Sequence, residues 1–397
     1  MWSTLKQIFL MIKVNLGSLP RRLAISLSMV LSVGLVVAVL AGFLAMARGF
    51  EGALAGAGSP GIAVILGGGT NQETGSDVPA EAIRSLAAMS GDTGIARDGA
   101  GGPALSREIV VPIDIRGRDG EQTLSLRGMD AAGPGLRQRA RLSQGRLFTP
   151  GAREIVVGAR IAEIFGFAVG ETVRLGAVDW KVAGRFTSGG SAFESEIWAD
   201  LEAVQSAFDR LGQVQSLRLR LDGAGGLAAL RARLSGLSGP PLTAVSEAEL
   251  YAAQAERTEN LIRLFGWPIA LLMAIGAMAG TLNTMMSSVS DRAVEIATLR
   301  LLGFARLPVF AATWVEAVLL SAAGAVFGVV GSMIAFDGWQ ASTMGANNTK
   351  MAFQLNVTPD VILTAGLLGL AIGVIGGALP ALAATRLPLG AALRARG

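Results

Sequence analysis

Long apolar runs lie near both ends of this sequence. Four stretches of at least 25 residues contain almost no charged side chain: 23–47, 264–289, 307–336 and 361–385. Each exceeds the roughly 20 apolar residues with which a helix crosses about 30 Å of hydrocarbon. We therefore predict an α-helical membrane protein with four transmembrane helices, over residues 23–47, 259–289, 307–336 and 359–383.

The first run also ends like a secretory signal peptide, because residues 45–47 read Ala-Met-Ala. The apolar part of a signal peptide is only roughly 7–15 residues long, so we expect this helix to be retained. Residues 1–22 precede it and carry apolar side chains at helical spacing. This pattern predicts a short amphipathic helix that lies at the membrane interface.

A region without long apolar runs, 48–258, separates the first two predicted membrane helices. Short strand-like and helical patterns alternate there, with Gly and Pro between them. Their order predicts a large mixed α/β domain of two lobes, one over 60–130 plus 214–246 and one inserted over 131–213. The polar helical pattern of 246–263 runs into the second membrane helix without a break, which predicts a helical stalk.

Basic residues near the helix ends indicate the orientation. Lys and Arg are frequent in residues 1–22, 290–306 and 384–397, whereas the loop 337–358 has a single basic residue, Lys350. We therefore expect both termini to be cytoplasmic in the bacterial inner membrane, with 48–258 and 337–358 outside. Residues 48–258 contain 22 basic and 24 acidic residues, and this balance argues against a nucleic-acid partner.

The composition excludes several kinds of catalytic site. The chain has no Cys and no His, so thiol nucleophiles, imidazole bases and the usual zinc sites are absent. It has no phosphate-binding loop, and no Lys follows a Gly. We expect no catalytic, cofactor or metal site in this chain. Glu194 and Glu196 are the candidates for an acid/base pair, and we expect them to be solvated surface residues instead.

The predicted cytoplasmic loop 290–306 contains a short helical pattern that Gly303 can end. Its apolar positions could enter a groove on a cytosolic partner, or the helix could be an interfacial connector that touches only lipid. The candidate contact residues are Asp291, Arg292, Glu295, Ile296, Leu299, Arg300 and Gly303.

Several segments resemble the FtsX/MacB-type permeases of ABC transporters, including LolC/LolE. In that family the loop reads like 292–303, a helix with an internal Glu follows as at 314–320, and glycines follow as at Gly324, Gly328 and Gly331. The C-terminal segments 377–388 and 391–394 resemble the closing signature of the family. Residues 153–175 look like the inserted lobe of a MacB-like outer domain.

This resemblance implies a permease of the mechanotransmission type that works as a homodimer or a related heterodimer. ATP and Mg²⁺ would bind a separate dimer of ATPase subunits, on which the helix of 290–306 would dock as a coupling helix. The cargo would be amphiphilic: a lipid, a lipoprotein, a peptide or a hydrophobic small molecule. A periplasmic membrane-fusion adaptor could be a further partner. The alternative is an FtsX-like regulator that activates a periplasmic hydrolase without transport.

Small residues and one carboxylate are the remaining candidates for a role inside the membrane. Glycines spaced by four residues let helices approach closely, either within one bundle or across a dimer. They occur at Gly276/Gly280, at Gly324/Gly328 and at Gly369/Gly373/Gly377. Glu316 could relay protons, form a hydrogen-bonded packing contact near the coupling helix, or reach towards the lipid headgroups.

Overall fold

A computed structural model describes residues 2–18, 22–70, 72–88, 94–99, 101–117, 120–237, 239–345 and 349–387. The predicted C-terminal tail, 384–397, therefore falls largely outside the described residues. The helices are α1 Trp2–Ser18, α2 Leu23–Ala57, α3 Ala80–Ala88, α4 Gly133–Leu136, α5 Ala159–Phe165, α6 Leu201–Ala207, α7 Gly226–Leu234, α8 Glu247–Asp291, α9 Ala293–Leu301, α10 Arg306–Phe336, α11 Pro359–Gly376 and α12 Ala378–Thr385.

The strands, in chain order, form one large sheet and one hairpin. They are β1 Ile62–Gly67, β2 Leu105–Gly117, β3 Gly120–Met129, β4 Arg141–Gly145, β5 Glu154–Gly158, β6 Thr172–Leu175, β7 Val178–Thr187, β8 Glu196–Asp200, β9 Ser216–Arg220, β10 Leu242–Ser246, β11 Gln340–Met344 and β12 Lys350–Gln354. The chain divides into two compact units. We call them the helical unit (Met1–Arg48, Asn260–Trp339 and Leu355–Gly397) and the outer unit (Gly49–Glu259 and Gln340–Gln354).

Four helical segments are long and apolar enough to cross a membrane: Ser26–Ala57, Glu247–Asp291, Arg306–Phe336 and Pro359–Thr385. Within the helical unit they bury a core of Val, Ala, Leu and Ile side chains. The last segment is interrupted at Gly377, which separates α11 from α12. The chain is thus a membrane protein by the length and composition of these helices.

Helix α8 has 45 residues and runs without interruption from the outer unit into the helical unit. It begins with a capping box: the backbone N–H of Glu249 donates to Ser246 Oγ, and the backbone N–H of Ser246 donates to the Glu249 carboxylate. These two bonds satisfy backbone groups that a helix start leaves unpaired. The predicted stalk 246–263 and the predicted membrane helix 259–289 are therefore parts of one helix.

The outer unit is built on a ten-stranded sheet in the order β10-β1-β9-β2-β3-β8-β5-β7-β4, with β6 beside β7. The long hairpin β2–β3, in which Glu108 lies opposite Met129, is in the middle. One hydrophobic cluster gathers β1, β9 and the helices α3 and α7 on one side. A second gathers β2, β3, β5, β7 and β8 with α5 and α6. The two predicted lobes thus share one sheet. Strands β2 and β3, predicted as part of the first lobe, contribute to the second core, although β2 also pairs with β9.

The segment 337–358, predicted as a plain loop, contains the hairpin β11–β12, which belongs to the outer unit. Ser195 Oγ donates to the carbonyl of Ala352 and accepts the N–H of the same residue. Phe353 packs edge-on against Phe50, with ring centroids 5.7 Å apart. The outer unit is therefore assembled from two segments that lie far apart in the sequence.

Buried ion pairs join the strands at the centre of the sheet. The guanidinium of Arg127 donates to Glu73, Glu108 and Glu196, and that of Arg218 donates to Glu73, Glu108 and Glu247. A buried charge is stabilised only when such partners surround it. These contacts link β2, β3, β8 and β9 to the first turn of α8.

The same ion pairs shift the pKa values of the buried carboxyl groups. Burial acts to raise the pKa of Glu108, but Arg137, Arg218 and Arg127 outweigh it and lower the pKa to about 2. Burial is likewise outweighed at Glu73, whose pKa lies well below its usual value. At Glu247 burial prevails and raises the pKa.

The expectation that Glu194 and Glu196 are solvated surface residues is wrong. Glu194 is buried, accepts the backbone N–H groups of Ser188 and Gly190, and lies 3.5 Å from Arg160. Glu196 is mostly covered and pairs with Arg127. The alternating sequence does not indicate that Ala192–Ser195 forms a buried 3-10 helix, so the burial of the two carboxylates could not be predicted from it.

Candidate functional site

Helix α9 is the short helix that the sequence predicts in the loop 290–306. It ends in a Schellman motif, in which the N–H of Phe304 donates to the carbonyl of Leu299 and that of Gly303 to the carbonyl of Arg300. Gly303 has a φ of 98°, a backbone conformation that favours glycine. The position of Gly303 thus fixes the end of the helix.

The apolar stripe of α9 faces the interior of the helical unit. Ile296 is buried in a cluster with side chains of α1, α8, α10 and α12, and Leu299 packs against the same cluster. Both residues were predicted as contacts to a partner. In this structure Ile296 is fully enclosed in the bundle and Leu299 is half-buried against it, so both contribute to holding α9 in place.

Arg292, at the start of α9, reaches inward to the carboxylate of α10. Its Nη1 donates to Glu316 Oε2 at 2.9 Å, and its Nη2 donates to Asn15 Oδ1 of α1. Asn15 Nδ2 donates to the same oxygen of Glu316 at 3.2 Å. Glu316 is 3% exposed, so its charge is enclosed and paired. We call these three residues the polar anchor.

Two further arginines fasten the same end of the helical unit. Arg22, which directly precedes α2, donates to Ser288 Oγ of α8 at 2.5 Å and to Ser18 Oγ of α1 at 2.6 Å. Arg300 donates to the carbonyl of Thr385 at 2.8 Å, where α12 ends and leaves carbonyl groups unpaired. Arg300 therefore caps a helix, although it was predicted as a partner contact.

The outward face of α9 and its C-terminal turn is exposed and mixed in character. It carries Asp291, Glu295, Thr298, Leu301 and Leu302, and Leu302 is 73% exposed. Of the predicted contact residues, the structure thus leaves Asp291, Glu295 and Gly303 accessible. The sequence missed Asn15 and Arg22, since only the packing of α1 against α8 and α10 shows their role.

The glycines predicted for helix packing fall into two groups. A side chain at Gly324, Gly328, Gly369, Gly373 or Gly377 would place its Cβ closer than 3.0 Å to an atom of a neighbouring helix. These five glycines therefore permit close packing within the bundle. Around Gly276 and Gly280 of α8, no other described element brings an atom within 4 Å of such a Cβ, so this face of α8 is exposed in the described part of the chain.

Known families match most of the chain. Residues 268–389 match the FtsX-like permease C-terminal family, and residues 23–237, more than half of the chain, match the MacB-like periplasmic core domain family. The macrolide export ATP-binding/permease protein MacB of Bordetella avium (strain 197N) is 23% identical over 301 residues, which are 72% of this chain and 45% of that protein. The chain thus spans less than half the length of this curated relative.

Two solved structures are similar to part of the chain. The periplasmic region of MacB from Actinobacillus actinomycetemcomitans is 13% identical, with a TM-score of 0.38 over 50% of this chain and 94% of that one. The extracellular domain of the noncanonic ABC-type transporter YknZ from Gram-positive bacteria is 15% identical, with a TM-score of 0.34 over 47% of this chain and 100% of that one. From the two family matches together, the chain belongs to the FtsX/MacB-like permeases of ABC transporters, with a MacB-like periplasmic core domain.

Proposed function

We propose that this chain is the transmembrane subunit of an ABC transporter of the mechanotransmission type. A separate ATPase dimer, with ATP and Mg²⁺ bound, would dock on α9 and move it. The helices would transmit this motion to the outer unit, where an amphiphilic cargo would be moved on the periplasmic side. The cargo classes are a lipid, a lipoprotein, a peptide or a hydrophobic small molecule.

One observation carries the proposal: contacts on the inner side of α9 hold it to the bundle, whereas its outward face is exposed among the described residues. The polar anchor and the burial of Ile296 fix α9 to α1 and α10, so a force on α9 would reach those helices. The exposed surface of Glu295, Thr298 and Leu302 combines acidic, hydroxyl and apolar groups, which suits a protein groove. This arrangement favours docking over a connector that touches only lipid.

We further propose that two copies pair through the open face of α8. Gly276, Gly280 and Asn283 lie at helical spacing on that face, and all three are exposed. An amide facing hydrocarbon costs free energy unless it finds a partner, and small residues allow another helix to approach. From the basic residues at the helix ends, we also propose that both termini and α9 are cytoplasmic in the inner membrane, with the outer unit in the periplasm.

The proposal is tested by measuring whether an ATPase subunit co-purifies with the wild-type chain. Leu302→Asp places a charge on the outward face of α9 and should abolish co-purification and cargo-stimulated ATP hydrolysis. Leu211→Asp is the matched control, because Leu211 is an exposed leucine of the outer unit. Full co-purification and stimulation in Leu302→Asp would contradict docking through α9. Stimulation without cargo release from the membrane would favour the FtsX-like regulator.

A further inference from the structure

Helix α1 packs one side against the helical unit and exposes the other. Met11 lies in the same buried cluster as Ile296 of α9, and Asn15 belongs to the polar anchor. The side-chain oxygen of Gln7 accepts the backbone N–H of Ala305, between α9 and α10, at 3.4 Å. The inner side of α1 thus contacts residues before, within and after α9.

The outer side of α1 carries two lysines between two apolar strips. Lys6 and Lys13 are exposed and seven residues apart, so two helical turns place them in one line, about 10 Å apart along the axis. At about 100° per residue, one apolar strip lies on each side of this line. The strip residues are exposed: Leu5, Phe9 and Leu16 on one side, and Leu10 and Val14 on the other.

The exposed apolar strips of α1 lie close to a membrane helix in the sequence. Phe9 is 71% exposed, and α2, which is long and apolar enough to cross a membrane, begins at Leu23, five residues after α1 ends. Contiguous apolar patches of this kind mark an interface with a membrane or with another protein. The short connection to α2 keeps α1 near the membrane surface, which favours lipid as the occupant.

The charge of α1 indicates the kind of lipid. Residues 1–22 contain no Asp or Glu, and no residue that the structure describes forms an ion pair with Lys6 or Lys13. The aliphatic part of a lysine can lie on apolar surface while its ammonium group reaches the lipid headgroups. Basic amphipathic helices are attracted to anionic lipids. Two ammonium groups between apolar strips therefore fit anionic phospholipids better than zwitterionic ones.

We propose that α1 lies at the membrane surface and binds the headgroups of anionic phospholipids through Lys6 and Lys13, with the apolar strip that contains Phe9 in the hydrocarbon. Bound lipid would hold α1 against the bundle and, through Asn15, would stabilise the position of α9. Anionic lipid would thus favour one position of the helix on which the ATPase is proposed to dock. This last step rests on the proposed function, whereas the binding of lipid does not.

The test uses the full chain in phosphatidylcholine nanodiscs that contain a small amount of a brominated phospholipid. Leu10→Cys places a bimane fluorophore between the two lysines along α1, and no native cysteine competes for the label. Bromine quenches the fluorophore on contact. Quenching by brominated phosphatidylglycerol, relative to brominated phosphatidylcholine, therefore measures the preference for anionic lipid. We expect a preference of about fivefold per lysine, the usual effect of one basic residue at an anionic surface.

Lys6→Gln and Lys13→Gln should each reduce this preference about fivefold, and both lipids should quench equally in the double variant. Lys6→Arg should keep the preference, because it keeps the charge. The matched control is Arg153→Gln/Lys181→Gln, which removes two exposed charges of the outer unit and should change nothing. With both lysines present, equal quenching by the two lipids or no quenching by either would overturn the proposal. A preference that survives in Lys6→Gln/Lys13→Gln would also overturn it, because other groups would then recruit the lipid.

Hydrogen exchange of α9 tests the second step without an ATPase or a cargo. Replacement of phosphatidylcholine by phosphatidylglycerol should slow the exchange of peptides from 293–301 about fivefold in the wild type, and Lys6→Gln/Lys13→Gln should abolish this effect. Asn15→Ala should keep the lipid preference and lose the slower exchange, because it removes contacts with Arg292 and Glu316. Equal exchange of the wild type in both lipids would overturn the link to α9. Failure of the proposed docking on α9 would leave both measurements unchanged.

Discussion

The polar anchor places a buried ion pair at the end of four apolar helices. The isolated charge of Glu316 would be costly there, and Arg292 and Asn15 supply the groups that balance it. Removal of a single partner of such a pair leaves the other charge buried and alone. The polar anchor thus stabilises one arrangement of α1, α9 and α10, and its loss should weaken the packing of all three helices.

Glu316→Gln and Arg292→Gln should each destabilise the helical unit by about 3–5 kcal/mol, the usual cost of breaking a buried pair. The double variant should lose less than the sum of the two, because it leaves no unpaired charge. Unfolding by sodium dodecyl sulfate in mixed micelles would measure this cycle. Arg306→Gln, at an exposed arginine of the same region, should change little. Strictly additive losses would show that the pair does not interact.

Acid should unfold the outer unit through its buried carboxylates. The pKa of Glu108 is about 2 in the folded chain, below the usual value of about 4.3 in an unfolded one. A depressed pKa contributes stability that is present above about pH 4.3 and is lost as the pH falls towards 2. Glu73 acts in the same direction, and Glu247, with its raised pKa, acts in the opposite one.

Glu108→Gln should therefore lower the stability at pH 7 and reduce its dependence on pH between about 4.3 and 2. Urea unfolding of the full chain, followed by near-ultraviolet circular dichroism, would measure both effects. Glu121→Gln is the control, since Glu121 is an exposed carboxylate of the same β2–β3 hairpin. An unchanged pH profile in Glu108→Gln would assign the acid sensitivity to other groups.

At the scale of elements, the spacing of apolar residues predicted correctly that the segment of α9 is helical. It did not predict which partner the apolar face of that helix contacts. The pattern of α9 predicted its length and the role of Gly303 as its end, because both are local. It also predicted an apolar stripe, but a stripe can face a partner or the helix's own bundle. Only the cluster around Ile296 decides between the two. The hairpin β11–β12 was missed for a similar reason: each strand has only five residues, and the hairpin belongs to the outer unit, from which it is far in sequence.

The hairpin β11–β12 should contribute strongly to the stability of the outer unit. Phe353 is fully buried against Phe50, so Phe353→Ala should destabilise that unit by about 3–5 kcal/mol. Met344→Ala is the control, because Met344 is an exposed residue of β11. Hydrogen exchange of the peptides that contain β2 and β3 would report the loss. Equal protection in both variants would show that the hairpin is an accessory element.

At the scale of the whole molecule, the glycines of the exposed face of α8 have a different proposed role from the glycines packed within the bundle. The former would allow a second chain to approach. Gly280→Leu should dissociate the proposed dimer and leave each chain folded, because no other element that the structure describes comes within 4 Å of the added Cβ. Gly331→Leu is the matched control, since Gly331 is equally open but lies on α10. Single-molecule photobleaching in nanodiscs would count the chains. Two copies per disc in both variants would place the dimer contact elsewhere.

The outer unit includes a segment that the ribosome makes late. Residues 49–259 emerge first, and β11 and β12 follow only after the rest of α8, α9 and α10 have been synthesised. Domains usually fold as they appear, N-terminal parts first. During that interval Phe50 and Ser195 lack the strand that covers them. During synthesis this surface is therefore exposed to proteases and to other nascent chains, and chain termination before residue 350 would leave it uncovered permanently.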